Sequence, residues 1–283
     1  MAKTKNTVNR QARRTRKKKR KSPSRAATAF TQSHIVSRWL DFSAWTPLLT
    51  IKFFIGLLLL PVVWVSIETF FVSFGHAAKV GAFWRTGEFW FFTIGAIVWT
   101  VIFCSWRHRY MVYLYVAGHE YTHAFFVLLC RGNVAEVKIS SAGGHILTNR
   151  NNFLISLSPY FFPFYTIILI TLWALVEWLF FDFTDAHRQI LFGLIGLTWA
   201  FHLTFTIWMI RREQPDVDQN GKLFSFSMIA VVNMLVISGL LIVASPNVAL
   251  SDFAAVWCAN LLTFGRRFIE SIQEMWSIFP WAK

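Results

Sequence analysis

The sequence has few charged residues for its length. Lys, Arg, Asp and Glu make up 15% of its 283 residues, whereas a soluble globular domain usually contains about 25%. Hydrophobic residues make up 55% of the chain and aromatic residues 18%. These proportions exclude an ordinary soluble domain and predict an integral, multi-pass membrane protein. The fourteen tryptophans fit that class, because indole rings favour the headgroup region of a bilayer.

Cysteine is scarce as well. The three cysteines are odd in number and lie in or beside apolar runs, so they predict no disulfide framework: Cys104, Cys130 and Cys258. We also expect no secretory signal peptide, because the first long apolar run is too long for the hydrophobic region of a signal peptide and no small-residue cleavage site ends it.

Positive charge is concentrated at the N-terminus. The first 25 residues contain twelve Lys and Arg, including the run "RRTRKKKRK" from Arg13 to Lys21. Such a segment has too few apolar residues to form a core, so it predicts a disordered tail. Under the positive-inside rule we expect the tail on the cytoplasmic side of the cell (inner) membrane, in contact with anionic lipid headgroups. Nucleic-acid binding and a targeting role are the alternatives for this tail. Of these we do not expect a nucleic-acid partner.

Six apolar runs approach the roughly 20 residues that cross a bilayer. They are Leu48–Phe74, Phe89–Trp106, Tyr110–Cys130, Phe153–Phe181, Ile190–Ile210 and Phe224–Ala244. The predicted fold class is therefore an all-α polytopic membrane protein with about six transmembrane helices.

The remaining apolar segment, near the C-terminus, is interrupted by charged residues. Its apolar residues recur at helical spacing, which predicts an amphipathic helix in the membrane interface: Phe268, Ile272, Met275 and Phe279. The predicted organisation is a polybasic tail and lead-in over residues 1–45, a membrane-embedded domain over 46–245 and an interfacial segment over 246–283.

The third apolar run contains the most informative motif. It reads "YLYVAGHEYTHAFFVLLC" and places His119, Glu120 and His123 inside a segment otherwise apolar enough for lipid. Each uncompensated ionisable group at that depth costs on the order of 2.5–3.5 kcal/mol, so three of them indicate a shared partner. Histidines four residues apart share a helix face, and in HExxH metalloproteases they bind zinc while the glutamate is the general base that activates the zinc-bound water. The sequence predicts Zn²⁺ ligands at His119 and His123 and a catalytic Glu120.

The segment after this helix has the pattern of a β-hairpin. "VAEVKIS" alternates like a strand, "AGG" supplies a turn and "HILT" can return, which predicts a hairpin from Val134 to Thr148 around Gly143 and Gly144. A strand edge beside a metal could pair with an unwound substrate. An extramembrane connector is the alternative.

These residues resemble the site-2 protease family of intramembrane zinc metalloproteases. The resemblance covers about Tyr110 to Ser225 and includes the helix with HExxH, a glycine-containing turn, a short strand pair and a proline-bearing next span. It implies a zinc-dependent endopeptidase that cleaves membrane-protein substrates in or near their transmembrane segments.

The resemblance also implies a third ligand, an aspartate in a later Leu-Asp-Gly-like motif. This chain lacks that tripeptide and has "REQPDVDQNGKLFS" instead. We expect Asp216 as the ligand, because Pro215 ends the preceding helix and frees the backbone to turn inward. Asp218 and His202 are the alternatives, and His202 has the further possible role of donating a hydrogen bond to the tetrahedral intermediate.

Two other function classes fit parts of the pattern. A metal-binding transporter would place ionisable groups in several spans, and a catalytically silent scaffold of the same family would have no use for Glu120. The membrane face nearer the site stays open: a cytoplasmic tail and six spans place it near the outer face, whereas the family usually has it near the cytoplasm.

Overall fold

The chain is mostly helical in the computed structural model, which describes residues 46–80, 83–105, 109–180, 183–212, 214–245 and 248–277. Among these residues, those from Ile51 onward form one compact unit. The predicted polybasic tail lies outside the described residues, and the domain boundaries at 46 and 246 stay predictions.

The described residues form nine α-helices and one pair of strands. In chain order they are α1 (Pro47–Lys79), α2 (Gly87–Ser105), α3 (Arg109–Leu129), β1 (Val134–Ser140), β2 (Gly143–Thr148), α4 (Phe153–Leu157), α5 (Phe164–Phe180), α6 (Asp185–Ile210), α7 (Pro215–Asn220), α8 (Lys222–Ala244) and α9 (Leu250–Ser277). Single 3₁₀ turns lie at Phe83–Arg85 and Ser158–Tyr160.

Four of these helices are long and apolar enough to span a membrane, namely α1, α2, α6 and α8. A fifth span would be the segment from Phe153 to Phe180, which bends by 79° where the Ser158–Tyr160 turn meets α5. The helix α3 has 21 residues but is less apolar than the others, because ionisable and small residues occupy its middle. A membrane protein is supported, and the predicted count of six spans is not confirmed.

Close backbone packing joins α2 to α6. A Cβ on Gly95 would collide with the Gly193 carbonyl, and a Cβ on Gly196 would collide with the Phe92 carbonyl. Small residues allow this approach, and helix association in lipid depends on it because apolar side chains gain little by leaving a lipid environment. The contact fixes α6 beside α2, and the helix α3 packs against this pair.

An aromatic cluster fills the space between α2, α3 and α6. Phe205 is fully buried, its ring stacks on Tyr115 with centroids 4.8 Å apart, and Trp99 donates its indole N–H to the Thr204 hydroxyl at 2.8 Å. Truncating a buried ring of this kind typically costs about 3–5 kcal/mol. This cluster holds the N-terminal half of α3 in place.

The helix α3 ends in a Schellman motif. Arg131 takes a left-handed conformation with φ 58°, and the Gly132 amide donates to the Val127 carbonyl while the Arg131 amide donates to the Leu128 carbonyl. The chain then turns sharply into β1.

The predicted hairpin is confirmed as an antiparallel pair of strands, β1 and β2. The tight turn consists of Ser141 and Ala142, where the Ser140 hydroxyl donates to the Gly143 carbonyl. The two glycines therefore begin β2 instead of forming the turn. Gly143 has φ 141°, and Gly144 has a second role that involves the candidate site.

A single long helix forms the C-terminal segment, as the apolar spacing predicted. The N-terminal half of α9 is joined to α1 by two hydrogen bonds, from Trp257 to Ser66 and from Asn260 to Thr69. Its C-terminal half exposes large apolar side chains, among them Phe268, Ile272 and Met275. Its position in a membrane interface stays a prediction.

Candidate metal centre

Three side chains predicted as ligands converge at one point. The Nε2 atoms of His119 and His123 lie 3.7 Å and 3.5 Å from the same oxygen of Asp216, Oδ2. Ligand atoms of the three residues all lie within 4.8 Å of one another, and no other such set exists among the described residues. Both histidines are buried, whereas Asp216 is partly exposed.

The Nδ1 atoms of the histidines point away from the cluster to protein partners. Nδ1 of His123 lies 2.8 Å from the Ile155 carbonyl oxygen. Since a carbonyl only accepts, Nδ1 carries the proton and the neutral ring presents a bare Nε2. Nδ1 of His119 lies 3.4 Å from the Tyr115 hydroxyl. Such outer contacts fix the tautomer and orientation of histidines that bind metals.

The Ile155 carbonyl is itself held by a local cap. The side chain of Asn152 accepts a hydrogen bond from the Ile155 amide at 2.9 Å, which begins the five-residue helix α4 with the preferred type of N-cap residue. The cap positions the Ile155 carbonyl against α3.

Asp216 arrives from the opposite side on the short helix α7. Gln214 is the N-cap residue and Pro215 occupies the first turn, where its missing N–H leaves no helical bond unmade. Gly221, with φ 81°, ends the helix and redirects the chain into α8. The predicted inward turn after Pro215 is thus present, and it brings the Asp216 carboxylate to the histidines.

Two further contacts restrain Asp216. The Tyr160 hydroxyl lies 3.3 Å from Asp216 Oδ2 and the same distance from the Gln214 side-chain oxygen. The Asn220 amide donates to the Asp216 backbone carbonyl at 2.9 Å, and the Lys52 ammonium donates to the Asn220 side-chain oxygen at 2.8 Å. The carboxylate is therefore held from both its side chain and its backbone.

The electrostatic surroundings of Asp216 favour its charged form. Burial by itself raises the pKa of this carboxyl, but the two neighbouring imidazoles, when they are protonated at Nε2 and no metal is bound, outweigh burial and lower its pKa below the ordinary value. At neutral pH the group is a carboxylate, the form that binds a cation.

Glu120 is buried between α3 and the hairpin. Only 6% of its surface is exposed, and a Cβ on Gly144 would lie 2.6 Å from its Cγ atom and 2.7 Å from the Lys138 carbonyl oxygen. Glycine at 144 therefore lets the hairpin backbone lie directly on the glutamate. This contact places the hairpin at the site.

The alternative ligands lie outside the cluster. Asp218 is half-exposed, and its carboxylate lies 3.7 Å from the Lys222 ammonium, four residues further along the chain. His202 is buried, yet it does not belong to the set of converging ligand atoms. His145, His76 and His187 are exposed, and His34 and His108 lie outside the described residues.

Two of three contacts around the centre had no signal in the sequence. Tyr160, the Ile155 carbonyl and Tyr115 touch the ligands, but tyrosine in an apolar run has no metal-related spacing and a backbone carbonyl has no side-chain signature. Only Tyr115 shares a helix face with His119 at four-residue spacing, which would have suggested a contact.

The two distances to Asp216 are close to those of a zinc site. Two ligand atoms bound tetrahedrally to zinc at about 2.1 Å lie about 3.4 Å apart, close to the 3.5 Å and 3.7 Å found here. A direct hydrogen bond between imidazole and carboxylate would be shorter, about 2.7–2.9 Å. Two imidazoles and one carboxylate also suit zinc and leave a position open.

Comparisons with known proteins gave no match, whether to family models, to curated proteins or to solved structures.

Proposed function

We propose that this protein is a zinc-dependent intramembrane endopeptidase, similar to site-2 proteases, that hydrolyses peptide bonds in or near the transmembrane segments of membrane proteins. The observation that carries the proposal is the convergence of His119, His123 and Asp216 around a space of zinc-like dimensions. Glu120, the adjacent buried carboxyl, lies on the helix that carries both histidines.

His119, His123 and Asp216 would hold the metal. A bound zinc ion supplies a Lewis acid and makes water acidic enough to attack an amide at neutral pH. Glu120 accepts the proton of the attacking water as the water oxygen bonds to the carbonyl carbon. The same carboxyl then donates the proton to the amide nitrogen as the C–N bond breaks, which returns Glu120 to its starting state.

The surroundings of the site suit a peptide from a membrane protein. Four membrane-length helices accompany the cluster, and Gly144 brings the backbone of the hairpin onto Glu120. A substrate segment that unwinds can pair with an exposed strand through main-chain hydrogen bonds, which would extend it beside the glutamate.

Glu120 and the compactness of the cluster argue against the two other classes of function. A structural metal site needs closed coordination and no base, so a scaffold has no use for a buried glutamate beside its ligands. A transporter needs polar groups along a path, whereas Asp216, His119 and His123 form one compact group among the described residues.

The decisive test is Glu120→Gln in full-length protein purified in detergent and reconstituted with a panel of single-span membrane proteins. Gln keeps the size of the side chain but accepts no proton, so we expect unchanged zinc content and a loss of cleavage of about 10²–10⁴-fold. Metal analysis should include iron, because two histidines and a carboxylate also bind iron(II). Undiminished cleavage by zinc-loaded Glu120→Gln protein, detected by gel and mass spectrometry, would refute the proposal.

A further inference from the structure

A small pocket adjoins the candidate metal centre at His119. Its walls are mostly aromatic, and its lining brings together α3, α5, α6 and the turn before α5: Tyr115, Gly118, His119, Thr122, Pro159, Phe162, Phe164, Tyr165, Phe201 and His202. Two imidazoles therefore face one small space, and one of them belongs to the proposed metal ligands. A peptide group that reaches the centre through this pocket would meet the second imidazole, His202.

His202 is a buried polar residue in the middle of α6. Only 7% of its surface is exposed, and no well-formed hydrogen bond reaches its Nε2 atom among the described residues, although the Asn233 side chain and the Tyr160 backbone lie close to the ring. Burying a polar atom without a good hydrogen bond costs roughly 1–3 kcal/mol, so a group that enters the pocket and accepts from this ring would gain stability there.

Asn233, on α8, lies beside His202. Its side-chain nitrogen donates to the Tyr160 carbonyl at 3.0 Å, and its side-chain oxygen is a second buried atom without a partner among the described residues. His202 thus has a restrained polar neighbour and also lines the pocket.

His202 does not belong to the metal ligands. Ligand atoms of the other three residues lie within 4.8 Å of one another, and no atom of His202 joins that group. The residue therefore lines the same pocket as His119 without joining the converging ligand atoms. That position suits a contact with the substrate carbonyl.

We infer that His202 donates a hydrogen bond to the carbonyl oxygen of the scissile peptide as that oxygen gains negative charge; this inference rests on the proposed function. When the water oxygen bonds to the carbonyl carbon, the C=O electron pair moves to oxygen, and a donor aimed at that oxygen stabilises the tetrahedral intermediate. His202 keeps its proton throughout. The electron pair returns to carbon as the C–N bond breaks and Glu120 protonates the amine.

Three variants of the full-length protein test the inference. His202→Leu removes the donor, whereas His202→Gln retains an N–H group. Trp199→Phe is the matched control, because Trp199 lies on the same helix and its Nε1 is also buried without a partner among the described residues, but it does not line the pocket.

Binding of two probes and cleavage of a membrane-protein substrate are then measured, together with zinc content. An N-phosphoryl dipeptide imitates the tetrahedral intermediate, and acetohydroxamate binds a metal without imitating it. For His202→Leu we expect full zinc content, unchanged KM, unchanged hydroxamate affinity, and losses of about 10²–10³-fold in kcat and in affinity for the phosphoryl probe. His202→Gln should recover part of both losses, and Trp199→Phe should match the wild type.

Two results would overturn the inference while leaving the proposed function intact. Loss of zinc from His202→Leu would make His202 a ligand, and equal changes for the two probes, including no change at all, would make its role structural. Absence of zinc from the wild-type protein would refute the proposed function, and this inference with it.

Discussion

Replacing Asp216 with alanine should abolish tight zinc binding, whereas the same change at Asp218 should not. The two aspartates are two residues apart in one short helix. Comparing them therefore tests whether the position of the carboxylate relative to the imidazoles matters, and not merely the presence of an acidic residue in this helix. Asp216 places Oδ2 within 3.7 Å of both imidazoles. Asp218 is half-exposed and lies beside Lys222.

The size of the effect follows from the number of ligands. Outer contacts of metal ligands are worth about 10–100-fold in affinity, so loss of one of three direct ligands should exceed about 100-fold. At a zinc concentration about 1,000 times the wild-type Kd, binding stabilises the folded protein by about 4.1 kcal/mol. A 100-fold weaker site gains only about 1.4 kcal/mol by the same relation. The difference of about 2.7 kcal/mol corresponds to roughly 5–10 °C in Tm for a domain of 150–250 residues.

The assay combines metal analysis with thermal unfolding in detergent. Zinc content and competition with a chelating dye give the affinity, and unfolding with and without zinc gives the stabilisation. Asp218→Ala should retain the zinc-dependent rise in Tm. The reasoning would be refuted if Asp218→Ala lost zinc while Asp216→Ala kept it.

Three other predictions concern residues around the centre and the tail. Gly144→Ala should lower stability by about 1–3 kcal/mol, because the new Cβ would overlap Glu120 and a backbone carbonyl; Gly239→Ala, where nothing lies within 4 Å, is the control, and equal Tm values for the two variants would contradict the contact. Tyr160→Phe should weaken zinc binding by about 10–100-fold in a chelator titration, since the hydroxyl contacts with Asp216 and Gln214 are lost while the ring is kept, and unchanged affinity would exclude a role for the hydroxyl. Deleting residues 1–25 should leave Tm in detergent unchanged, because a segment so poor in apolar residues buries no core, whereas a clear fall in Tm would show that the tail packs on the protein.

The parts of the site that sequence could predict are those with short-range spacing. His119 and His123 share a helix face because 3.6 residues make one turn, and that relation needs no tertiary information. The choice of Asp216 rested on a local signal as well, since Pro215 indicates that the preceding helix has ended; in the structure that helix ends at Ile210, and Pro215 begins α7. Contacts such as Tyr160 with Asp216 join residues 56 positions apart, and nothing in either local sequence specifies them.

The hairpin was predicted correctly, but the role assigned to Gly144 in it was incomplete. The glycine pair predicted a turn, and the hairpin is present, but the turn consists of Ser141 and Ala142. Gly144 is instead a residue of close approach, because the side chain of Glu120 occupies the space of its missing Cβ. Both needs select glycine, so the residue type alone does not distinguish them.

The number of spans was harder to predict for a related physical reason. A hydropathy pattern measures length and apolar content, and the run from Phe153 to Phe181 satisfies both as if it were one straight helix. The structure bends the segment by 79° between Tyr160 and α5, with Pro159 in the turn and Pro163 next to the start of α5. Proline lacks an N–H and disfavours helix in the residue before it, so these positions allow a break whose angle depends on tertiary contacts.

The same bend connects the membrane architecture to the candidate chemistry. Before the bend, the Ile155 carbonyl meets His123 and the Tyr160 hydroxyl meets Asp216, so both contacts come from one short segment packed across the cluster. After the bend, α5 leaves in a different direction with an almost wholly apolar sequence. Ile155 and Tyr160 both precede the bend, so the bend separates the segment that contacts the cluster from the apolar helix that follows it. A mainly hydrophobic segment can therefore supply polar groups to a buried site. The Ile155 carbonyl and the Tyr160 hydroxyl find partners at the cluster, so neither group is left unpaired in lipid.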